Sequence, residues 1–117
     1  MYNKHNDDFW LAIDRIVSSG NIIIDRPKGS VHPNFSNCKY DVDYGYIENT
    51  SSSDGEGIDV WLGSLPNKNA NAVICTVDLM KRDSEIKILV GCTDEEIKTV
   101  YEFHNVSEFM KGILIIR

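Results

Sequence analysis

The chain has 117 residues, of which 42% are hydrophobic and 26% are charged, and this suits one domain of a soluble globular protein. Its formal net charge of −6 argues against binding to the phosphate backbone of a nucleic acid, because such a protein needs a basic face. The charge still permits a small phosphate ligand that arrives with a divalent metal, since the metal supplies the positive charge.

The cysteines and the first residues bear on location. Cys38, Cys75 and Cys92 are odd in number and show no CxxC spacing, which predicts reduced thiols and neither a disulfide framework nor a zinc site. Residues 1–8 are polar and acidic, which is unlike a signal peptide, and no apolar run approaches the length of a membrane span. We therefore expect a cytoplasmic protein without a membrane partner.

Two helices are predicted from capping residues and apolar spacing. The first is capped by Asn6 or Asp7 and stops at Gly20. The second starts with the capping box from Thr93 to Glu96. Residues at helical spacing form the apolar stripe of each helix: Phe9, Ile13, Ile16 and Val17 in the first, and Ile97, Val100, Tyr101 and His104 in the second.

Short strands separated by turn signals are predicted for most of the remaining chain. Gly45 within one of them indicates a bend or a close backbone approach, residues 31–39 are predicted as a loop, and residues 81–84 as a charged hairpin turn. The spacing is too tight for βαβ crossovers, so we expect a mainly β (α+β) fold, a small twisted antiparallel β-barrel with two flanking helices. The predicted strands are 21–25, 40–47, 58–62, 72–79, 85–90 and 113–116.

Carboxylates are concentrated in the stretch from Tyr40 to Val60, and no Lys or Arg occurs between Lys39 and Lys68. Carboxylates this close repel one another unless solvent or a cation intervenes. The stretch is therefore predicted to be either a solvated acidic loop or a site for a hard metal ion. Its acidic residues are Asp41, Asp43, Glu48, Asp54, Glu56 and Asp59.

The most concentrated part is Asp54-Gly-Glu56-Gly-Ile-Asp59. The two glycines break strand regularity, so a turn there can aim all three carboxylates at one point, and oxygen ligands of this kind suit Mg²⁺ or Mn²⁺. It is not an EF-hand loop, because the twelfth position from Asp54 is Leu65. A solvated acidic hairpin turn is the alternative, and spacing alone does not separate the two.

Two further pairs of residues have both a functional and a structural interpretation. Glu85 and Lys87 share one strand face and can form a polar site or a solvent-facing charge pair. Tyr40 and Tyr44 can present hydroxyls to a phosphate or pack as ordinary aromatic residues. His104 is expected to pack on its helix.

The acidic stretch resembles the signature of the soluble family I inorganic pyrophosphatases. The resemblance is carried by Tyr40-x-x-x-Tyr44-Gly-Tyr-Ile followed by Asp54-Gly-Glu56-Gly-Ile-Asp59-Val. Weaker flanking resemblances are Asp25-x-Pro27 and the strand pair that holds Asp78 and Glu85-Ile-Lys87. The resemblance implies an OB-like β-barrel that hydrolyses pyrophosphate to two phosphates with several Mg²⁺ ions, with Mn²⁺ as the other possible metal.

The resemblance also implies roles for individual residues. Glu56 would position or deprotonate the attacking water, and catalysis would rest on Glu56, Asp54, Lys87 and Tyr44, with Tyr40 a further contact of the phosphate oxygens. The implied metal ligands are Asp54, Glu56, Asp59, Asp78, Glu85 and Asp25, with Asp83 as the alternative to Asp78. Asp41, Asp43 and Glu48 are expected to be solvated or structural.

The chain departs from the family pattern at several positions. Glu56 and Glu85 stand where the family has Asp, Gly57 stands where it has Pro, and a Tyr-Lys pair of the family falls on His104-Asn105. The cationic residues that the family carries between Asp25 and Tyr40 are missing, because that connection is short. Substitutes for these phosphate-binding cations are sought among Arg26, Lys28, Lys81 and Arg82.

The leading hypothesis is a single pyrophosphatase-like domain spanning residues 1–117, with pyrophosphate as its small-molecule partner and a homo-oligomer as a possibility. One alternative is a metal-dependent hydrolase of another phosphoanhydride or phosphoester. A second is a barrel that binds metal or phosphate without turnover.

Overall fold

The computed structural model describes residues 2–117 as a six-stranded mixed sheet, a two-stranded hairpin and two helices. In chain order the elements are α1 (Asn6–Val17), β1 (Ile22–Arg26), β2 (Val31–His32), β3 (Phe35–Lys39), β4 (Asp43–Ile47), β5 (Asp59–Leu62), β6 (Ala70–Asp78), β7 (Asp83–Val90), α2 (Asp94–Phe103) and β8 (Met110–Ile116).

The large sheet has the strand order β1-β4-β5-β7-β6-β8, with β2 and β3 paired separately. This architecture confirms the predicted mainly β class with two helices. The large sheet differs from a purely antiparallel one at a single pairing, because β5 and β7 run parallel. The β6–β7 hairpin inserts β7 between β5 and β6, so β7 lies beside β5 and points the same way. This parallel pairing positions the polar residues described below.

The two helices cover opposite faces of the large sheet. Trp10 of α1 packs over one face, and Ile97 and Val100 of α2 pack over the other. Because side chains alternate along a strand, the central strands contribute to both layers. The α1 layer contains the buried residues Trp10, Ile47, Val60, Ala70, Val73, Ile88 and Val90, and the α2 layer contains Tyr40, Val42, Trp61, Ala72, Ile74, Leu89, Cys92, Ile97 and Val100.

The two helices differ in how well capping was predicted. The α2 capping box is confirmed, since Glu96 N donates to Thr93 Oγ1 at 3.1 Å and Thr93 N donates to Glu96 Oε1 at 2.8 Å. For α1 the predicted caps are wrong: its N-cap is His5, without a side-chain capping bond. The predicted apolar stripe also omits Trp10, which is the buried residue of α1, and includes Phe9, which is 41% exposed.

Residues 31–39 were predicted as a loop, and this is wrong because they form the β2–β3 hairpin. His32 and Phe35 are paired around Pro33 and Asn34, and Asn34 N donates to His32 Nδ1 at 3.0 Å. The strands are too short and polar to give an apolar alternation. Other elements differ from their predicted bounds by a few residues. The strands predicted to begin at residues 40, 72 and 113 begin at Asp43, Ala70 and Met110, and the turn predicted at residues 81–84 spans residues 79–82.

Gly45 is required by the close approach of β1 to β4, as its position in the strand indicated. A Cβ atom there would collide with the carbonyl oxygen of Ile23. The glycine lets the two strands pair through Ile24, and this places Tyr44 on the α2 face of the sheet. Neither described helix has the length and hydropathy needed to cross a membrane.

Candidate functional site

Lys87 is the centre of a polar cluster on the α2 face of the sheet. The residue is 7% exposed, and its Nζ lies 2.7 Å from Asp59 Oδ2, 2.9 Å from Glu85 Oε2 and 2.8 Å from Tyr44 Oη. The parallel register of Val60 with Ile88 brings Asp59 beside Lys87, and Glu85 shares the face of Lys87 two residues earlier. Four side chains from three strands therefore meet at one ammonium group.

The charges in this cluster stabilise one another. Burial alone disfavours the charged form of Lys87, but the Tyr44 and Asp59 oxygens outweigh burial and raise the pKa of Lys87. Burial also raises the pKa of Tyr44, so this residue presents a neutral hydroxyl. For Glu85, burial raises the pKa although the hydrogen bond from Lys87 acts in the opposite direction. Lys87 thus stays protonated between its acidic neighbours.

Asp54 lies in the exposed turn next to this cluster. Its Oδ1 accepts hydrogen bonds from Glu56 N and Ser52 Oγ, both at 2.9 Å, and the bond from the Glu56 backbone is the main reason that the pKa of Asp54 is lowered. Glu85 is near enough to affect the pKa of Asp54, and Asp59 is near enough to affect the pKa of Glu85. Three of the predicted ligands therefore form a row of neighbouring carboxyl groups.

The other predicted acidic ligands lie around this row. Glu56 is exposed beside Asp54, and Asp25 is exposed in a bulge of β1. Asp78 lies on the same sheet face as Glu85, two ladder positions closer to the tip of the β6–β7 hairpin. Its Oδ1 accepts hydrogen bonds from Met80 N at 3.0 Å and from Lys81 N at 3.1 Å. Asp83 pairs directly with Asp78. The roles of all these residues as ligands stay predictions.

Of the four candidate cations, Arg26 borders the aromatic side of the cluster. It pairs with Tyr44 across β1 and β4, and its side chain interacts with the Tyr40 hydroxyl. The backbone N–H of Lys28 donates to Asp43 Oδ1 at 2.7 Å, so Asp43 has a structural role, as expected. Lys81 and Arg82 lie in the turn at the tip of the β6–β7 hairpin.

An aromatic group borders the cluster, and it joins the predicted site residues Tyr40 and Tyr44 to Trp61 and Phe103, which were not anticipated as part of the site. The Tyr44 ring lies 4.5 Å from the Trp61 ring and 5.5 Å from the Tyr40 ring, measured between centroids. Phe103 closes the group from α2, with its centroid 5.0 Å from that of Trp61. One sequence signal could have identified Trp61: it follows Asp59 by two residues, so both side chains must share a strand face.

The oxygen donors of Asp54, Asp59 and Glu85 have the chemistry that Mg²⁺ or Mn²⁺ prefers. Among residues 2–117, no three His, Cys, Asp or Glu side chains converge closely enough to hold a metal ion in this arrangement. Lys87 instead neutralises Asp59 and Glu85. The row fits a hard divalent cation in donor chemistry, and such a cation would compete with the ammonium group for these oxygens.

Comparisons with family profiles and with solved structures give consistent matches. The sequence profile of the family described as inorganic pyrophosphatase matches residues 14–115. A comparison with curated proteins gives no match.

Solved structures similar to this chain include three bacterial proteins. An inorganic pyrophosphatase from Coxiella burnetii has a TM-score of 0.64 at 16% identity, over 86% of this chain and 90% of that one. An inorganic phosphatase from Anaplasma phagocytophilum has a TM-score of 0.55 at 13% identity, over 81% of each chain. An inorganic pyrophosphatase from Neisseria gonorrhoeae has a TM-score of 0.54 at 18% identity, over 82% of this chain and 73% of that one. At these identities the likeness establishes a shared fold.

Proposed function

The chain belongs to the inorganic pyrophosphatase family, and we propose that it hydrolyses inorganic pyrophosphate to two phosphates in a magnesium-dependent reaction. The observation that carries this proposal is the buried Lys87 ammonium, held by Asp59, Glu85 and Tyr44 beside the exposed carboxylate of Asp54. A fixed cation and a hydroxyl group beside a row of carboxylate oxygens support the proposal, because phosphoryl transfer uses groups of these kinds.

In this proposal Lys87 and Tyr44 contact phosphate oxygens and hold the substrate in one orientation. Hydrogen bonds hold both side chains in place, and because Lys87 already has an acceptor for each of its three N–H groups, a phosphate oxygen would replace one of these acceptors when the substrate binds. Arg26 and Tyr40 border the same surface and supply a second cation and a second hydroxyl. Lys28, Lys81 and Arg82 remain further candidates for phosphate contacts.

In this proposal the acidic residues bind the metal, and one of them accepts the proton of the attacking water. Asp54, Asp59 and Glu85 would bind magnesium, with Glu56, Asp78 and Asp25 as the additional predicted ligands. Magnesium, when bound, supplies the positive charge that an acidic pocket lacks and the Lewis acidity that activates water. Glu56 is exposed in the turn beside Asp54, where its carboxylate can orient the attacking water and accept its proton.

The experiment that tests the proposal measures phosphate release from pyrophosphate with magnesium, with manganese and with a chelator. We expect hydrolysis that requires a divalent ion and falls at least ~100-fold in Asp59→Asn, because an amide replaces a ligand and a partner of Lys87. Glu48→Gln is the matched control, since Glu48 lies outside the cluster and should keep the native rate. Activity of Asp59→Asn equal to that of the native chain would refute the site.

A different phosphoanhydride or phosphoester is the second candidate substrate. The small number of cations on this face favours such a substrate. Among residues 2–117, Lys87 interacts with the cluster and Arg26 interacts with its aromatic border. A panel of phosphorylated compounds with magnesium separates the two, since pyrophosphate must be the best substrate if the proposal holds. Calorimetry that detects pyrophosphate binding without turnover of any compound would instead support a binding protein.

We also propose that residues 1–117 act as one domain in the cytoplasm. The three cysteines are free thiols, which suits a reducing compartment. The acidic charge favours small-molecule partners over nucleic acid. Assembly into a homo-oligomer stays a possibility that sedimentation measurements can decide.

A further inference from the structure

We propose that His104 is a positioning residue for the Tyr44–Lys87 pair, and that it acts through the indole ring of Trp61. The catalytic consequence of this inference depends on the proposed function, whereas the structural consequence does not. His104 follows the last turn of α2, and its ring makes a hydrogen bond with Trp61 and a contact with the Met110 sulfur. The contact with Trp61 leads to Tyr44, and the inference is argued through it.

The first contact is the hydrogen bond from Trp61 to His104. His104 is 2% exposed, and its Nε2 lies 3.1 Å from Trp61 Nε1. An indole N–H can only donate, so Nε2 must accept and the ring proton belongs on Nδ1. Burial lowers the pKa of His104 to about 3, which keeps the ring in this neutral form. His104 therefore determines the orientation of the indole ring.

The second contact is between the rings of Trp61 and Tyr44. Trp61 is 1% exposed, and its ring centroid lies 4.5 Å from that of Tyr44 across the β4–β5 ladder. Tyr40 and Phe103 pack on the remaining sides of Trp61, with centroids 5.9 Å and 5.0 Å away. In a close-packed group of this kind, rotation of the indole would displace the neighbouring Tyr44 ring.

The third contact joins Tyr44 to the ammonium group. Tyr44 Oη lies 2.8 Å from Lys87 Nζ, and the Tyr44 ring centroid lies 5.4 Å from the same nitrogen. Asp59 and Glu85 also hold Lys87, so the aromatic route should control Tyr44 more strongly than Lys87.

The kinetic test compares His104→Leu, which removes the acceptor, with His104→Gln, whose amide oxygen can still accept from the indole. We expect His104→Leu to lower kcat for pyrophosphate about tenfold with less than about a twofold change in KM, because orientation is lost while binding contacts remain. His104→Gln should stay within about threefold of the native kcat. In a Trp61→Phe background, the same leucine substitution should have no further effect, because the donor is already absent. Equal kcat values for the leucine and glutamine variants would overturn the proposal.

The structural test uses NMR of chains labelled at the indole nitrogens and the tyrosine rings. We expect His104→Leu to shift the Trp61 indole and Tyr44 ring signals while leaving the signal of Trp10, which lies in α1 on the opposite face of the sheet, unchanged. If His104→Leu does not fold, Trp61→Phe tests the same contact from its other end and should shift Tyr44. Unchanged Tyr44 signals in the folded variant would overturn the positioning role. If the native chain hydrolyses no pyrophosphate, the proposed function fails, and these NMR signals alone decide the inference.

Discussion

At the scale of single residues, the site is defined by how one buried ammonium group is neutralised. Lys87 has two carboxylate partners and a neutral hydroxyl partner, and burial disfavours its charge less than these partners favour it. Removing one partner of a buried ion pair lowers the free energy of unfolding by more than the intact pair contributes to it. Stability and the proposed chemistry both depend on Lys87, which makes it an informative position to change.

Lys87→Met should lower the free energy of unfolding at pH 7 by about 3 kcal/mol, because Asp59 and Glu85 lose their counter-charge. Burial already raises the pKa of Glu85, and without the opposing hydrogen bond and charge of Lys87 this pKa rises further. Folding then favours the protonated form of Glu85 more strongly, so the variant should regain part of its stability as the pH falls towards 5. Urea unfolding at both pH values measures the effect, with the exposed Lys98→Met as control. A loss that does not depend on pH would contradict this explanation.

The lowered pKa of His104 predicts that its contribution to the free energy of unfolding falls as the pH falls, which is opposite to the effect expected for Lys87→Met. Its pKa is about 3 when folded and near 6.5 when unfolded, so the unfolded chain binds more protons below pH 6.5. The stability that it contributes is present above pH 6.5 and falls as the pH falls towards 3. Between pH 7 and 5 this amounts to at most ~2 kcal/mol. Urea unfolding of the native chain and His104→Gln should show that the glutamine variant lacks this part of the slope.

At the scale of elements, strand pairing determines which acidic residues meet. The parallel β5–β7 pairing joins Asp59 to Lys87, and the β6–β7 hairpin places Asp78 on the face of Glu85. Asp78 currently accepts two backbone hydrogen bonds in the hairpin turn. It therefore has a structural role in the turn, whether or not it also binds a metal.

Two substitutions separate these roles of Asp78. Asp78→Ala should lower the free energy of unfolding by about 1 kcal/mol, because Met80 and Lys81 lose their shared acceptor. Asp78→Asn keeps an oxygen acceptor and should retain that stability, but it should lower magnesium-dependent hydrolysis at least ~10-fold if Asp78 is a ligand. Thermal unfolding and phosphate release measure the two effects. Loss of activity in Asp83→Asn alone would assign the ligand to Asp83.

At the scale of the whole molecule, the sheet separates a structural face from the face that carries the site. Arg117 at the end of the chain makes two hydrogen bonds to Asp14 of α1, at 2.8 and 2.9 Å. Its guanidinium also lies 5.7 Å from the Trp10 ring centroid. These contacts join β8 to α1 on the face opposite Lys87, so they should stabilise the fold without affecting the chemistry.

Asp14→Asn tests this separation of faces. We expect it to lower the free energy of unfolding by at most ~1 kcal/mol, because the pair is about a third exposed and solvent screens it. Its kcat and KM for pyrophosphate should equal those of the native chain, in contrast to Asp59→Asn. A fall in kcat without unfolding would show that the two faces are coupled through the sheet.

Local patterns were sufficient to predict several parts of this protein. The α2 capping box involves residues three positions apart, and the shared face of Glu85 and Lys87 follows from the two-residue repeat of a strand. The mainly β class followed from short apolar runs separated by turn residues. The oxygen-rich turn that contains Asp54 was identified by composition and spacing, and its role as a metal site stays a prediction.

Only the tertiary structure decided which of these local features meet. The bonds from Lys87 to Asp59 and Tyr44 join positions 28 and 43 residues apart in the sequence, and the bond from Trp61 to His104 also spans 43 residues. Such contacts depend on strand order and direction, and neighbouring residues do not encode these. Hydrophobic periodicity also failed for the short polar β2–β3 hairpin and for Trp10. The acidic stretch was thus evident from the sequence by itself, whereas the lysine that neutralises part of it was determined by the pairing of β5 with β7.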